Sequence, residues 1–358
     1  MSATPNPIPH PETPAETEAL MLDKLAGMLT EDEIRRKAAV AHRINKLKRD
    51  RHAIVLGHNY MEPALYLSVP DFVGDSLELS RISARTDASV ILFCGVQFMA
   101  ETAKVLCPDR TVLIPALKAG CSLAENITPI DVRALRQKFP GVPVITYVNT
   151  YAEVKAESDY CCTSGNAAAV VRHVLGKGHP KLIFLPDGYL ARNTAVEAGI
   201  PFIEGWRDDA PALAAAAETA LIGWNAHCEV HELYTPAEVA TIRREYPDAV
   251  ILAHPECPPE VIAHIDHACS TKGMVEIIRK GGPGPYVLFT EQSMADNIRL
   301  DMPGKQLIHF QPRRCPYMEL ITLENTLEAL EKLQYQIELP ADVLSNAHQP
   351  IDRMLSIG

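Results

Sequence analysis

Short apolar runs alternate along the chain with longer stretches in which apolar residues recur every three or four positions. Runs such as Val90–Phe93 and Leu182–Leu185 are continuously apolar, which is typical of strands that are buried on both faces. Most of these runs lead into an amphipathic stretch of helical period. The alternation predicts an α/β protein whose sheets are largely parallel and carry helices on both faces.

Marked residues of this pattern recur at fixed offsets, which indicates an internal triplication. The offsets are 88, 107 and 87 residues for the pairs Asp71 and Asp159, Cys121 and Cys228, and Cys228 and Cys315. A repeat of about 88 residues, lengthened by about 20 in its second copy, reproduces all three values. We place the insertion at 204–223, an acidic and Ala-rich stretch. Three repeats that face one another would bring their equivalent positions to one central site.

The predicted organisation is a tail followed by the three repeats. Residues 1–17 are rich in Pro and Thr and are predicted to be disordered. The first repeat covers 18–140 and begins with a helix over Glu18–Lys48. The second covers 141–246, and the third covers 247–358 with a C-terminal helix and tail. Because parallel sheets bind ligands beyond the carboxyl ends of their strands, the site is expected there.

Composition disfavours several classes of protein. A formal charge of −11 and a pI near 5.6 disfavour a nucleic-acid-binding surface, while 47% hydrophobic residues suffice for a large core. No apolar run approaches the roughly 18 residues of a membrane span, and the N-terminal stretch lacks the pattern of a signal peptide. A cytoplasmic protein is therefore expected. In that setting the nine cysteines point to buried thiols, metal ligands or redox chemistry rather than to disulfides.

Three cysteines occupy one equivalent position after a strand, namely Cys121, Cys228 and Cys315. A free cysteine is usually a small packing residue, but packing alone would not require cysteine at one position three times. Three thiolates suit a soft metal or an iron–sulfur cluster, and three ligands on a [4Fe–4S] cluster leave one iron open as a Lewis acid. No metal role is predicted for the remaining cysteines, which are Cys94, Cys107, Cys161, Cys162, Cys257 and Cys269.

Polar residues follow the first strand of each repeat in pairs that share one face, and the pairs are His58 and Tyr60, Tyr147 and Asn149, and His254 and Glu256. A single histidine at a strand end is more often structural, but its repetition favours function. Glu256 and the imidazoles are the candidates for general acid–base catalysis. His227 and His231 flank Cys228, where a supporting role beside the metal is a further hypothesis.

Hydroxyl residues stand at the predicted starts of three equivalent helices, namely Ser76, Ser164 and Thr271. The role expected of such a hydroxyl is N-capping. A helix N-terminus also binds carboxylate or phosphate through its N–H groups and its dipole. We predict both roles, so that the three helix starts together hold a substrate with several anionic groups.

Several long motifs carry a resemblance that covers the chain from about residue 50 to its C-terminus: HNY with DFVGDS, FCGVQFMAETAKVL, YVNTYAEVKAESDYCCTS, HPEC and CPYMELITLENTLEAL. They closely resemble the quinolinate synthase family of bacterial NAD biosynthesis. The resemblance implies three α/β/α sandwich repeats around a pseudo-threefold axis with a central active site. It also implies a [4Fe–4S] cluster with one open iron, held by Cys121, Cys228 and Cys315.

The family resemblance further implies a transferase that condenses iminosuccinate with dihydroxyacetone phosphate to give quinolinate, phosphate and water. The residues that match the family's substrate site are His58, Ser76, Tyr147, Asn149, Ser164, His254, Glu256 and Thr271. Tyr60 matches a tyrosine that assists proton transfer, and it forms the expected catalytic set with His58, His254 and Glu256. Transient contact with L-aspartate oxidase is left open, and no nucleic-acid or membrane partner is expected.

Two alternatives to this function stay open. A [4Fe–4S] hydro-lyase that acts on a small carboxylic acid needs the same open iron and the same anion-binding helix ends. A redox or iron-sensing module without turnover needs only the three cysteines, and the dense polar strand ends argue against it. Formation of quinolinate by the cluster-loaded protein separates the synthase from both.

Overall fold

Parallel strands alternate with helices throughout residues 7–357, the part of the chain that the computed structural model describes. This confirms the predicted α/β class. One compact unit takes in the chain up to Gly120 together with Glu291–Glu338, and the other takes in Cys121–Thr290 and the chain from Leu339 onward. The two compact units are described separately below, whereas the elements are introduced repeat by repeat.

The first repeat contains a parallel sheet with the strand order β2-β1-β3-β4. Its strands are β1 (Ala53–His58), β2 (Phe72–Gly74), β3 (Val90–Cys94) and β4 (Thr111–Leu113). Its helices are α1 (Pro14–Leu25), α2 (Glu31–Asp50), α3 (Pro63–Ser68), α4 (Ser76–Ser83), α5 (Gln97–Leu106), α6 (Ser122–Glu125) and α7 (Pro129–Lys138). Every residue of β3 is buried, as its continuous apolar run predicts.

The second repeat contains a parallel sheet with the strand order β6-β5-β7-β9-β8. Its strands are β5 (Val144–Tyr147), β6 (Tyr160–Cys162), β7 (Lys181–Leu185), β8 (Phe202–Glu204) and β9 (Ala220–Gly223). Its helices are α8 (Ala152–Ala156), α9 (Ala167–Gly176), α10 (Gly188–Ala198), α11 (Ala210–Ala216) and α12 (Pro236–Glu245), with a 3-10 turn at His231–Leu233. A buried apolar cluster that includes Phe139, Val144 and Leu185 forms the core here.

The third repeat begins with a parallel sheet in which β10 lies between β11 and β12. Its strands are β10 (Val250–Ala253), β11 (His267–Ala268), β12 (Tyr286–Phe289) and β13 (Leu307–Ile308). Its helices are α13 (Pro259–Ile262), α14 (Thr271–Lys280), α15 (Gln292–Asp301), α16 (Leu323–Lys332) and α17 (Ala341–Ser356), with a 3-10 turn at Met318–Leu320. In the first compact unit α15 packs on α3 and α16 packs on α2, while α17 packs on α8 in the second.

One aspartate per repeat ties the first strand of the sheet to the second, and we call these residues the latch aspartates: Asp71, Asp159 and Asp266. Each accepts a hydrogen bond from the backbone N–H of the first strand, at 2.7 Å from Val55, 2.8 Å from Val144 and 2.7 Å from Ile251. Each also pairs with a cation from the helix before that strand, at 2.9 Å from Lys48, 2.8 Å from Arg136 and 3.0 Å from Arg243. The same contacts in all three repeats support the predicted triplication.

The N-terminal stretch departs from its prediction. Residues 1–6 of the predicted tail lie outside the described residues, but α1 already begins at Pro14, so disorder up to residue 17 is wrong at that point. Thr13 and Glu16 form a capping box with Pro14 at the first helical position, and these local signals outweigh the composition of the stretch. The single helix predicted over Glu18–Lys48 is two helices, because Gly27 adopts φ +88° between them.

The predicted helix caps are partly wrong. Asp75 and Ser270 are the N-caps of α4 and α14, because their extended backbone lets the side-chain oxygen accept the N–H three residues later. Ser76 and Thr271 are therefore the first helical residues rather than caps. Ser164 lies before α9, whose N-cap position is Asn166. Capping boxes start three further equivalent helices at Thr128, Thr235 and Thr322.

The extra chain of the second repeat forms an additional strand and helix. Strand β8 stands at the sheet edge beyond β9 and has no counterpart in the order of the first sheet. It begins at Phe202, and β9 at Ala220–Gly223 occupies the fourth position that β4 holds in the first repeat. The inserted elements are thus β8 and α11, rather than the whole of 204–223. Strands β2, β6 and β11 have two or three residues each, too few for the apolar pattern to reveal.

Candidate active site

The ends of β5 and β10 bring several predicted site residues together in the second compact unit. Glu256 lies at the centre of this group, and its side chain is only 3% exposed. Its Oε2 is 2.6 Å from Nδ1 of His231, and Nδ2 of Asn149 lies 3.4 Å from its Oε1. Tyr147 donates a further hydrogen bond from its side chain. The end of β10 thus supplies the carboxylate, and the end of β5 supplies two of its hydrogen-bond donors, Tyr147 and Asn149.

His254 stands between Glu256 and Ser164. The backbone N–H of Glu256 points at Nδ1 of His254 at 3.4 Å, so Nδ1 acts as an acceptor and the ring proton resides on Nε2. Nε2 lies 3.0 Å from Oγ of Ser164 and donates to it. The ring also stacks on His231, with centroids 4.6 Å apart and planes inclined by 23°. Ser164, His254 and Glu256 therefore form one hydrogen-bonded chain.

Burial and neighbouring charges give this group a defined protonation state. Burial lowers the pKa of His254 to about 4, since it disfavours the imidazolium and outweighs the nearby Glu256 carboxylate. Burial alone would raise the pKa of Glu256, but His254, His231 and the Tyr147 hydrogen bond outweigh it and hold the pKa at about 2. Near neutral pH the site therefore contains an ionised carboxylate beside a neutral His254 imidazole.

A group of metal-capable atoms adjoins the carboxylate. Sγ of Cys228, a nitrogen of His231 and a carboxylate oxygen of Glu256 all lie within 4.8 Å of one another. Burial raises the pKa of the Cys228 thiol well above its ordinary value, and the charges of Glu256 and Cys121 raise it further. A bound cation would offset all three effects, because a metal deprotonates a thiol that it coordinates. The donor set therefore fits a thiolate-ligated metal or cluster.

The three repeat-equivalent cysteines share one backbone geometry. The carbonyl of each accepts the N–H of the residue four positions later, at 3.0 Å for Cys121, 3.0 Å for Cys228 and 3.1 Å for Cys315. Each cysteine thus starts a single helical turn, and each is half-buried as a residue. Of the six cysteines without a predicted metal role, Cys94, Cys161, Cys162 and Cys257 are fully buried in the core, whereas Cys107 and Cys269 are half-buried.

The first compact unit contains the remaining predicted residues of the first repeat. The His58 and Tyr60 rings meet edge to face with centroids 4.6 Å apart. The backbone N–H of Tyr60 lies 3.2 Å from Nδ1 of His58, which leaves the ring proton on Nε2, as in His254. Ser76 opens α4 in this compact unit, and Cys315 also belongs to it. In the second compact unit, Thr271 opens α14 next to the cap residue Ser270.

The sequence gives little indication of two residues of the site, His231 and Asp187. The sequence predicts only a supporting role for His231, yet this residue contacts Glu256 directly and lies 3.2 Å from Sγ of Cys228. Its spacing of three residues from Cys228 on one helical turn was the available signal. Asp187 was missed, because a carboxyl that caps a helix looks structural. It is fully buried, and burial followed by the charge of Glu256 raises its pKa well above the ordinary range.

Fold and site together define a class of α/β enzyme whose buried carboxylate and imidazoles lie beside a thiol suited to a metal. Residues 42–356 match the family described as NadA, quinolinate synthetase A protein. The chain belongs to this family.

Curated relatives match the chain over most of its length. It is 44% identical over 339 residues to quinolinate synthase 2 of Mesorhizobium japonicum, covering 95% of this chain and 98% of that protein. It is 43% identical over 348 residues to the quinolinate synthase of Caulobacter vibrioides, covering 97% and 89%. It is 46% identical over 314 residues to the quinolinate synthase of Xylella fastidiosa, covering 88% and 86%. Among the described residues, none of the helices is both long and apolar enough to cross a membrane.

Proposed function

We propose that the protein is a quinolinate synthase, a transferase that condenses iminosuccinate with dihydroxyacetone phosphate to form quinolinate, phosphate and water. Family membership and the names of the relatives support the activity. The observation that carries the chemistry is the buried, ionised Glu256 held by His231, Tyr147 and Asn149 beside the Cys228 thiol. The hydro-lyase alternative is not favoured, since no relative reported above bears such a name.

Glu256 is the proposed proton acceptor of the site. The condensation removes protons from carbon and nitrogen, and a carboxylate that stays ionised near neutral pH can accept them. His231 and Tyr147 fix its orientation through hydrogen bonds, so that the carboxylate needs little reorganisation during the reaction. Tyr60, next to His58 in the first compact unit, is the proposed second proton-transfer residue.

Ser164 is proposed to bind an anionic group of a substrate. Because Nε2 of His254 donates to its Oγ, the hydroxyl hydrogen of Ser164 points elsewhere and can be donated to a carboxylate or phosphate oxygen. Ser76 and Thr271 occupy the first position of α4 and α14, where their side chains and the N-terminal N–H groups favour anions. Substrates that carry carboxylates and a phosphate match these donors. The proposed binding set is completed by His58, Tyr147, Asn149, His254 and Glu256.

A [4Fe–4S] cluster is the proposed cofactor, with Cys121, Cys228 and Cys315 as ligands. When bound, it would supply an open iron that polarises a substrate oxygen or nitrogen as a Lewis acid. The common helical turn at the three cysteines and the electrostatic contact between Cys121 and Cys228 support this ligand set. A pseudo-threefold arrangement of the repeats is also proposed, on the strength of the shared latch aspartates and cysteine turns. Cytoplasmic location and contact with L-aspartate oxidase stay predictions.

Anaerobic reconstitution with iron and sulfide tests the proposal. The loaded protein should show the broad visible absorption of an iron–sulfur cluster, contain about four irons per chain as the cluster type requires, and form quinolinate from the two substrates. A cluster-loaded protein that forms no quinolinate but dehydrates a small carboxylic acid would instead support the hydro-lyase. A loaded protein without any turnover would overturn the assignment as an enzyme.

A further inference from the structure

Two asparagines make the same unusual contact in the two compact units. Nδ2 of Asn193, on α10, donates to the carbonyls of Pro255 at 2.8 Å and Cys257 at 3.0 Å. The residue between these two carbonyls is Glu256. The two hydrogens of the Asn193 amide therefore bind the backbone on either side of Glu256, the proposed proton acceptor.

The matching contact in the first compact unit holds the loop that carries Tyr60. Nδ2 of Asn297, on α15, donates to the carbonyls of Asn59 at 2.9 Å and Met61 at 2.8 Å. Asn193 and Asn297 are both the sixth residue of their helix, counted from Gly188 and Gln292. Each asparagine belongs to one repeat and holds a loop of another.

The two clamped loops have the same internal structure. In each, a backbone N–H donates to the carbonyl of the preceding histidine, from Cys257 to His254 at 2.9 Å and from Met61 to His58 at 3.1 Å. A histidine Nδ1 also accepts the N–H two residues later in both loops. The loops are therefore tight turns whose two outward carbonyls are occupied by the asparagine.

Hydrogen-bond chemistry makes asparagine specific at these positions. Carbonyl oxygens only accept hydrogen bonds, so both bonds require the NH₂ group of the amide. In the other orientation of the amide, its oxygen, which is also an acceptor, would face the two carbonyl oxygens. Asn297 is 2% exposed, so water cannot readily replace its donors. A side chain without an NH₂ group would leave two loop carbonyls with poorer partners.

The first repeat lacks this device at the equivalent place. The sixth residue of α5 is Thr102, whose hydroxyl bonds to the carbonyl of Phe98 within its own helix. In the loop that carries Asn149, the carbonyl of Thr150 accepts from Lys155 of the same repeat. Both amide clamps thus hold a loop that carries a proposed proton-transfer residue.

We infer that Asn193 and Asn297 are positioning residues that fix the Glu256 and Tyr60 loops for proton transfer. This inference rests on the proposed function. A loop released from its clamp would still carry its acid or base, but the group would sample positions away from the reacting atom. Misplacement by about 1 Å is enough to reduce turnover by about 100-fold. Substrate affinity would change far less, because most of the proposed binding residues, among them the hydroxyls of Ser76, Ser164 and Thr271, lie outside both loops.

The test compares Asn193→Leu and Asn297→Leu with Asn45→Leu in the anaerobically reconstituted protein. Asn45 is as buried as Asn297, whereas Asn193 is half-buried, and Asn45 donates to the Ser68 carbonyl at 2.8 Å without contacting either loop. We expect kcat to fall by about 10- to 100-fold in each clamp variant, with KM for both substrates within about threefold. The control should keep its kcat. Serine at the clamp positions serves where leucine prevents folding.

Hydrogen–deuterium exchange separates positioning from a general loss of structure. Exchange should accelerate at Glu256 and Cys257 in Asn193→Leu, and at Tyr60 and Met61 in Asn297→Leu, with each variant leaving the other loop unchanged. Unchanged kcat in both clamp variants, a rise in KM without a loss of kcat, or exchange that accelerates throughout a compact unit would overturn the inference. A wild-type protein that makes no quinolinate refutes the proposed function instead, and the exchange result is independent of that outcome.

Discussion

Removing the latch aspartates one at a time should destabilise the protein to degrees set by the burial of the paired cation. The perturbation is Asp71→Ala, Asp159→Ala or Asp266→Ala. Each variant loses the same hydrogen bond to a buried strand N–H, which costs about 1–3 kcal/mol. The three sites therefore differ mainly in what happens to the cation.

The cation is buried at only one of the three latches. The side chain of Lys48 is 6% exposed and that of Asp71 is 16% exposed, whereas Arg136 and Arg243 are 36% and 35% exposed. Removing one partner of a buried pair costs about 3–5 kcal/mol, because a charge is left without compensation. Lys48 keeps a bond to the Val69 carbonyl, so the lower end applies. The expected total is about 4–6 kcal/mol for Asp71→Ala, against about 1–3 kcal/mol at the exposed latches, where solvated pairs add little.

Urea unfolding followed by far-UV circular dichroism measures these differences. The double variant Lys48→Met with Asp71→Ala removes both charges and should recover about 2 kcal/mol or more relative to Asp71→Ala alone. Two results would refute the reasoning. One is an Asp71→Ala variant no less stable than Asp159→Ala and Asp266→Ala, and the other is a double variant no more stable than Asp71→Ala.

Three further predictions address the site and the N-terminal stretch. Glu256→Gln should lower kcat by about 100-fold or more with the fold intact, since it removes the proton acceptor but keeps the shape, and steady-state kinetics with circular dichroism check this. Serine in place of Cys121, Cys228 or Cys315 should abolish the iron–sulfur absorption, whereas Cys269→Ser should keep it. A cluster that survives any of the first three substitutions would contradict the proposed ligand set. The N-terminal stretch is held at His10, whose pKa is lowered to about 4 by burial and by Lys48. Burial of neutral His10 therefore stabilises the N-terminal stretch fully above about pH 6.5, the ordinary pKa of histidine. This stabilisation weakens as the pH falls towards 4. Limited proteolysis should cut this stretch faster at pH 5 than at pH 7, and equal rates would contradict the assignment.

The positions of the strands followed from the apolar pattern because a strand buried on both faces has little choice of residue. The apolar runs Val90–Phe93 and Leu182–Leu185 lie within β3 and β7 of the structure. The strands β2, β6, β8 and β11 were not predicted, since two or three residues cannot display a period. The latch aspartates could be found only as an offset between Asp71 and Asp159, because their ion pairs depend on tertiary packing.

The sequence predicts which positions belong to the candidate site, but not which of their side chains contact one another. The repeat places His254 and Glu256 at one strand end, and in the structure Tyr147 and Asn149 contact Glu256. The direct contact of His231 with Glu256 could not be inferred, because it joins a turn after β9 to a loop after β10. The caps predicted at Ser76 and Thr271 lie one residue too late, because adjacent residues at both sites offer a side-chain oxygen and only backbone geometry selects between them.

The measurement that tests the central claim most directly is the incorporation of labelled carbon into the product. The anaerobically reconstituted protein is supplied with iminosuccinate and with dihydroxyacetone phosphate labelled with ¹³C at all three carbons, and the product is analysed by mass spectrometry. The account predicts quinolinate that is heavier by three mass units, together with one phosphate released for each quinolinate. Cluster-loaded protein that forms no labelled quinolinate, while the same preparation remains folded, would contradict it.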